Sequence, residues 1–273
     1  GQALAGWVSA VWFALSFPDL PKVVSVICTV IIGLVAGGIA GAIPGILRAY
    51  LGTSEVIVTI MMNYIILYVA NNIIRFGFTA DMLRSSEASN KVVASASYQT
   101  EFLSQITGGS RFNIGFFLAL AAAFLVWFLL KKTTTGFEIT SVGLNPHASE
   151  YAGMSSKRVI IMSMIISGAL CGLGGTVEGL GTFQNVFVQN ASLAIGWNGM
   201  AVALLASNSP IGIPFAALLY GVLSIGKSGM IGVPSEIIDV VSALIIFFVG
   251  ANYIIRYWVR PRHKSVKAKG GQN

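Results

Sequence analysis

The residues GVLSIGKS, 221–228, fit the phosphate-binding pattern G-x-x-x-x-G-K-[ST] at every fixed position. In a nucleotide-binding protein that spacing lets loop amides cradle the phosphates while the lysine reaches the terminal ones. Such a loop follows a buried strand and opens a helix. Here the preceding run, IPFAALLYGVLSIG, is apolar over about the length of a membrane segment. The run that follows, MIGVPSE, carries Gly232 and Pro234, which interrupt a helix within two turns. The match is therefore a chance one in a glycine-rich chain, and the chain is expected to bind neither nucleotide nor metal. No other catalytic spacing is present. His147 and His263 both lie in polar segments. Cys28 and Cys171 stand singly in apolar runs as small packing residues.

Composition says which solvent surrounds these residues. Of the 273 residues, 55% are hydrophobic and only 10% charged, against about a quarter charged in an ordinary soluble domain. So apolar a chain cannot coat a water-soluble globule, and its long apolar runs point to a bilayer. The formal charge of +7 does not indicate nucleic acid. The basic residues sit in short loops and a tail beside apolar segments, where membrane proteins use them to set orientation. The chain starts at Gly1 with no basic leader and no cleavage site, so its first apolar segment is not a signal peptide.

Eight apolar segments are expected: 3–17, 23–47, 56–75, 113–130, 159–180, 196–207, 211–226 and 236–257. A hydrocarbon core needs about 20 helical residues, and four or five of these meet that. The sixth and seventh are short and divided by SNSPIGIP, with Pro210 and Pro214. That pair reads equally as a broken, re-entrant element or as two short tilted spans. The fold class is all-α, a polytopic transmembrane helical bundle forming one domain over 1–273. The tail 259–273 carries Arg260, Arg262, Lys264, Lys267 and Lys269 and is cytoplasmic by the positive-inside rule. Counting spans backwards makes 131–158 and the turn at Arg48 cytoplasmic too, and puts 76–112 outside.

Glycine placement indicates how helices meet. Gly33, Gly37, Gly41 and Gly45 recur every four residues, and Gly168, Gly172 and Gly175 repeat the device. Small-residue ridges of this kind let helix backbones approach in lipid. They read as packing seams.

The informative loop is KKTTTGFEITSVGLNPHASEYAGMSSKRV. Asn145 and Pro146 suit the cap and first position of a short helix that Gly153 can end. Such a helix beside a membrane can dock in a groove of a soluble partner, or be a solvated connection. TGFEITSVGLNPHASEYAGM resembles the coupling loop of ABC-importer permeases of the branched-chain amino acid, ribose and nucleoside group. GAIPGILRAYLGTSEVIVTIMMNY, 41–64, is similar to the permeases of basic-membrane-protein-type nucleoside importers, as are GWNGMAVALLA and PSEIIDVVSALIIFFV. Ser149, where that family often has Ala, and Ala206, where it often has Gly, depart from the pattern.

The resemblance implies a pathway for nucleoside uptake across a bacterial cytoplasmic membrane. It implies ATP and Mg used by a separate cytoplasmic ATPase, which couples at Gly143, Asn145, Pro146, Ala148, Glu150, Tyr151 and Gly153. It also implies a second, different permease subunit, a substrate-binding lipoprotein docking on 76–112, and two further spans upstream of Gly1. Simple sugars such as ribose are an alternative cargo, and an ion-coupled secondary transporter a more distant one. An uncharged nucleoside needs amides, hydroxyls and aromatic faces along its path. Asn63, Tyr64 and Asn71, with Asn72 beside it, serve as pathway residues or as interhelical hydrogen-bond partners. Trp197 and Asn198 offer a stacking face and an amide, or an interfacial anchor. Glu178 is a gate, a proton carrier or a paired carboxylate. Glu55, Glu236 and Asp239 sit where a carboxylate complements a helix N-terminus.

Overall fold

A chain in lipid must satisfy its backbone polar groups internally, and this one does so almost wholly with helices. The computed structural model describes residues 1–100, 105, 108, 112–229, 237, 240, 243, 244, 247 and 248, leaving aside the side chains of 227–229. The chain divides into two units, Gly1–Gly196 and Trp197–Asn273.

The first unit runs α1 (Gln2–Ser16), α2 (Lys22–Leu51), α3 (Glu55–Asn72), α4 (Gly115–Lys132), α5 (Thr134–Leu144), α6 (Pro146–Tyr151) and α7 (Ser156–Val177). α3 and α7 each run on into a wide π-type turn, Ile73–Gly77 and Glu178–Phe183. With those turns, four helices among the described residues are long and apolar enough to cross a membrane by length and composition: Lys22–Leu51, Glu55–Gly77, Gly115–Lys132 and Ser156–Phe183. α1 is shorter and mostly buried, through Leu4, Trp7, Val8, Ala10, Val11 and Ala14, while Trp12 stays exposed.

α1, α2 and α7 form the core of this unit. The two glycine ridges lie against each other, Gly37 facing Gly168 and Gly172, and Gly41 facing Met164 and Gly168. α1 closes on the same stripe, with Gly6 against Gly172 and Ala3 against Gly175. Trp7 stacks on Phe183 at 5.2 Å between ring centroids and meets Phe187 edge-on at 5.5 Å. Its Nε1 donates to Asn185 O at 2.9 Å, so the buried indole keeps its one polar group satisfied.

Among the described residues the all-α expectation holds except for one small piece. Residues 83–89 form an antiparallel hairpin, β1 (Leu83–Ser85) with β2 (Ala88–Ser89), in register Leu83↔Ser89 and Ser85↔Ala88. Chain 186–188 joins its edge, Ser89 N donating to Val186 O and Val188 N to Glu87 O, each at 2.8 Å. The segment from 76, expected outside the membrane, folds back onto the helices. Tyr98 is fully buried, its hydroxyl 3.0 Å from Thr29 Oγ1 on α2, and Lys22 Nζ donates to Gln99 O at 2.7 Å.

The second unit holds α8 (Ile195–Leu205) from Trp197 onward, and α9 (Gly212–Gly229). Their connection turns through Ser207 and Asn208, both in the left-handed region at φ 52° and 56°. The GVLSIGKS match runs along the interior of α9 and forms no loop. Its backbone amides are engaged in helix bonds, which leaves no cradle for a phosphate. Of the eighth expected segment, 237, 240, 243, 244, 247 and 248 are helical. Glu236, Asp239 and the basic tail 259–273 lie outside the described residues.

Candidate coupling helix and translocation seam

The connection from α4 to α7 contains more helix than its polar composition suggests. Thr133 ends α4 and caps α5: its Oγ1 donates to Leu129 O at 2.6 Å and accepts from Gly136 N at 3.1 Å. The 11-residue α5 (Thr134–Leu144) follows directly. Sequence reading missed it, although the threonine run ahead of GFEITSVGL was a legible cap signal.

α6 is built as its residues predict. Asn145 Oδ1 accepts from Ala148 N at 3.1 Å, Pro146 takes the first helical position, and Gly153 turns out of the helix at φ 84°. Met154 N returns to Ser149 O at 3.0 Å, satisfying a terminal carbonyl. Ser149, the departure from the family pattern, is the buried residue of this helix, its Oγ donating to Asn145 O at 2.9 Å. Ser156 Oγ donates to Pro146 O at 3.3 Å and ties α6 to the start of α7.

The rest of α6 faces away from the chain. Gly143, Asn145, Pro146, Ala148, Glu150, Tyr151 and Gly153 are all exposed. Leu144, just before the capped helix, is 84% exposed and Tyr151, its last residue, 96% exposed, an unusual state for two large side chains. A fixed helix of this kind offers a rigid knob to a groove.

α3 carries the second group of candidates. Tyr64 and Tyr68 project from one face with Asn72, and all three are exposed; Asn63 is half-buried beside the first turn of α1. Asn71 faces inward: its Nδ2 donates to Gln189 O at 2.8 Å and its Oδ1 accepts from Gln189 N at 3.0 Å. That reciprocal pairing makes Asn71 a brace for the segment after the Glu178–Phe183 turn. Glu178 lies on that turn, half-buried, accepting from Thr182 Oγ1 at 3.4 Å. At the other end of α3, Glu55 does more than complement a helix end: its Oε1 lies 3.0 Å from Arg48 Nε, and Arg48 Nη1 donates to Thr53 O at 3.1 Å. The pair spans the α2–α3 turn.

In the second unit Trp197 is exposed, and Asn198 Oδ1 accepts from Tyr220 OH at 3.0 Å, an α8–α9 contact. The candidates thus fall into three places: α6, the α3 face with its brace, and the α8–α9 pair. Tyr68, Arg75 and Phe76 were not singled out from sequence. The signal was their recurrence at helical spacing after Tyr64.

Comparison with known proteins assigns the family. Residues 1–250 match the family described as branched-chain amino acid transport system / permease component. The nucleoside ABC transporter permease protein NupB of Lactococcus lactis is 52% identical over 98% of this chain and 74% of its own. The guanosine ABC transporter permease protein NupP of Bacillus subtilis is 47% identical over 94% of this chain and 73% of its own. A glucose ABC transporter permease protein of Haloferax volcanii is 28% identical over 95% and 70% respectively. No solved structure matches the chain. The chain is a membrane protein of the permease-component family of ABC transport systems, the part of such a transporter distinct from its ATP-hydrolysing subunit.

Proposed function

We propose that this chain forms part of a nucleoside importer's pathway through a bacterial cytoplasmic membrane, moved by ATP hydrolysed on a separate subunit. The observation that carries the proposal is similarity over nearly the whole chain to two permeases whose named cargo is nucleoside or guanosine. The polar-aromatic face of α3 supports the same cargo, since an uncharged base and sugar need rings and amides. Two supports favour the coupling role of 131–158: the capped exposed helix α6 within it, and the Leu144 and Tyr151 side chains beside that helix. Closure of the ATPase would shift α6, and the rigid α7 would carry the shift into the membrane.

In this reading the eight apolar segments make one permease domain, with the basic tail and α6 on the cytoplasmic side. α8 and α9 form its broken pair, turning at Ser207 and Asn208. A second permease subunit, a different chain, completes the pathway, and a substrate-binding lipoprotein docks on the outer segment 76–112. ATP and Mg belong to the ATPase, and this chain holds no cofactor. Competitive uptake of labelled guanosine, uridine and ribose, in cells with and without the gene, tests the cargo. Gene-dependent guanosine or uridine uptake unaffected by excess ribose is the expected result. Uptake of ribose alone would reassign the chain to the sugar permeases.

A further inference from the structure

At the C-terminal end of α3, Tyr68, Asn72, Arg75 and Phe76 line a cavity of about 440 Å³ whose opposite wall is Val188, Gln189 and Asn190. That volume lies within the ordinary range for small-molecule sites. The wall is held in place by the double Asn71–Gln189 bond, in which a side-chain amide pairs with a backbone as a neighbouring strand would. The cavity is thus built into the fold and does not depend on a loose loop. It also opens on the π-type turn Ile73–Gly77, a distortion frequent at functional sites.

The chemistry of the lining is specific. Tyr68 is 70% exposed and Phe76 79% exposed, so two ring faces stand uncovered. Asn72 and Asn190 are exposed, and their side chains make no hydrogen bond among the described residues. Gln189 Nε2 is buried without an acceptor. The wall therefore holds donor and acceptor capacity that the chain leaves unused, at the end of a candidate span where unmet polar groups are costly. Arg75 Nη2 stands 3.6 Å from Glu87 Oε1, so the cation among the described lining residues is partly balanced and an anionic ligand is not called for.

We propose that this cavity is a nucleoside subsite: Tyr68 and Phe76 give stacking faces, and the Asn72 and Asn190 amides bond the base edge or the ribose hydroxyls. The assignment rests on the nucleoside reading above and adds the residues that recognise the cargo. An amide is both donor and acceptor, so the pair accepts several base edges, while ring overlap favours the larger purine.

The test uses cells carrying the whole transporter and measures initial rates of guanosine and uridine uptake well below the half-saturating concentration, where the rate follows binding. Tyr68→Leu should lower guanosine uptake about tenfold and uridine uptake by less, the scale of one lost stacking contact. Tyr68→Phe, which keeps the ring, should retain most of both rates. Asn72→Leu should shift the guanosine-to-uridine ratio about fivefold, the scale of one lost hydrogen bond. Unaltered rates in Tyr68→Leu and Asn72→Leu, or an equal fall for both nucleosides in Tyr68→Leu and Tyr68→Phe alike, overturn the subsite. Wild-type cells that take up neither nucleoside overturn the cargo assignment itself, and the subsite with it.

Discussion

Replacing Gly37 by Ala adds one methyl group to the α2–α7 seam, and the geometry fixes where it goes. A Cβ built there lies 2.7 Å from Gly172 Cα and 2.8 Å from Gly172 N, and closer still to Gly168 O. Carbon atoms pack comfortably at about 3.5–4.0 Å, so the helices must separate by about 1 Å. Backbone cannot rotate aside as a side chain would. The adjacent Gly38→Ala is the internal control, since its nearest neighbour would be Ile165 Cγ2 at an ordinary 3.6 Å. Both changes gain about 1 kcal/mol of helix propensity. Only the first incurs the overpacking penalty of about 1–3 kcal/mol, to which the loss of close backbone contact along the seam is added. The same pairing exists on α7, where Gly172→Ala meets Gly33 O and Gly37 Cα while Gly174→Ala meets nothing within 4 Å. Thermal unfolding of the purified transporter in detergent is the assay. Gly37→Ala and Gly172→Ala should melt several degrees below wild type, with Gly38→Ala and Gly174→Ala at or above it. Equal melting temperatures for the members of either pair would falsify close backbone packing as the basis of this seam.

The Tyr98 hydroxyl is pushed up to about 12 because burial disfavours the phenolate. Its neutral form therefore stabilises the fold fully below pH ~10, where the free phenol titrates. That stability is lost as pH rises toward about 12. Tyr98→Phe should remove this alkaline dependence, followed by phenolate absorbance and unfolding against pH. Trp7→Ala opens a cavity beneath Phe183 and Phe187 and should cost about 3–5 kcal/mol, seen as failure to accumulate in the membrane. Asn145→Ala removes the α6 cap bond and should weaken the helix by about 1 kcal/mol. ATP-driven uptake should fall while membrane insertion is kept, and Asn145→Ser should restore it. Glu178→Gln should leave uptake intact and insensitive to an uncoupler, whereas loss of uptake in that variant would revive ion coupling.

The helices were legible in the sequence because lipid imposes one rule on long apolar runs. The glycine ridges were legible because a four-residue repeat has one geometric meaning on a helix. The α6 cap was equally open, since Asn145, Pro146 and Gly153 each act through local backbone chemistry. What stayed hidden depends on contacts distant in sequence. Tyr98 sits in a polar, serine-rich stretch that gives no sign of burial, and only its placement against Thr29 and Leu180 buries it. Asn71 and Asn72 are adjacent identical residues, yet one braces Gln189 and the other is free to face a ligand. No composition rule separates them.

That division bears on how a stroke at α6 could reach the cargo. α7 is anchored to α6 by Ser156 and gripped along its length by the glycines of α2, so it can transmit displacement with little loss. Its far end is the Glu178–Phe183 turn, followed by the chain that Asn71 holds against α3. A rigid-body shift of α7 would therefore load the Asn71–Gln189 bond, and the Val188–Asn190 wall moves relative to Tyr68 and Phe76 only as that bond gives way. A crosslink tests this link. Joining Asn190→Cys to Asn72→Cys should block the uptake that remains in the same double variant under reducing conditions, while ATP turnover persists, because it fixes the wall without touching α6. Full uptake in the crosslinked transporter would show that the wall does not move with α7.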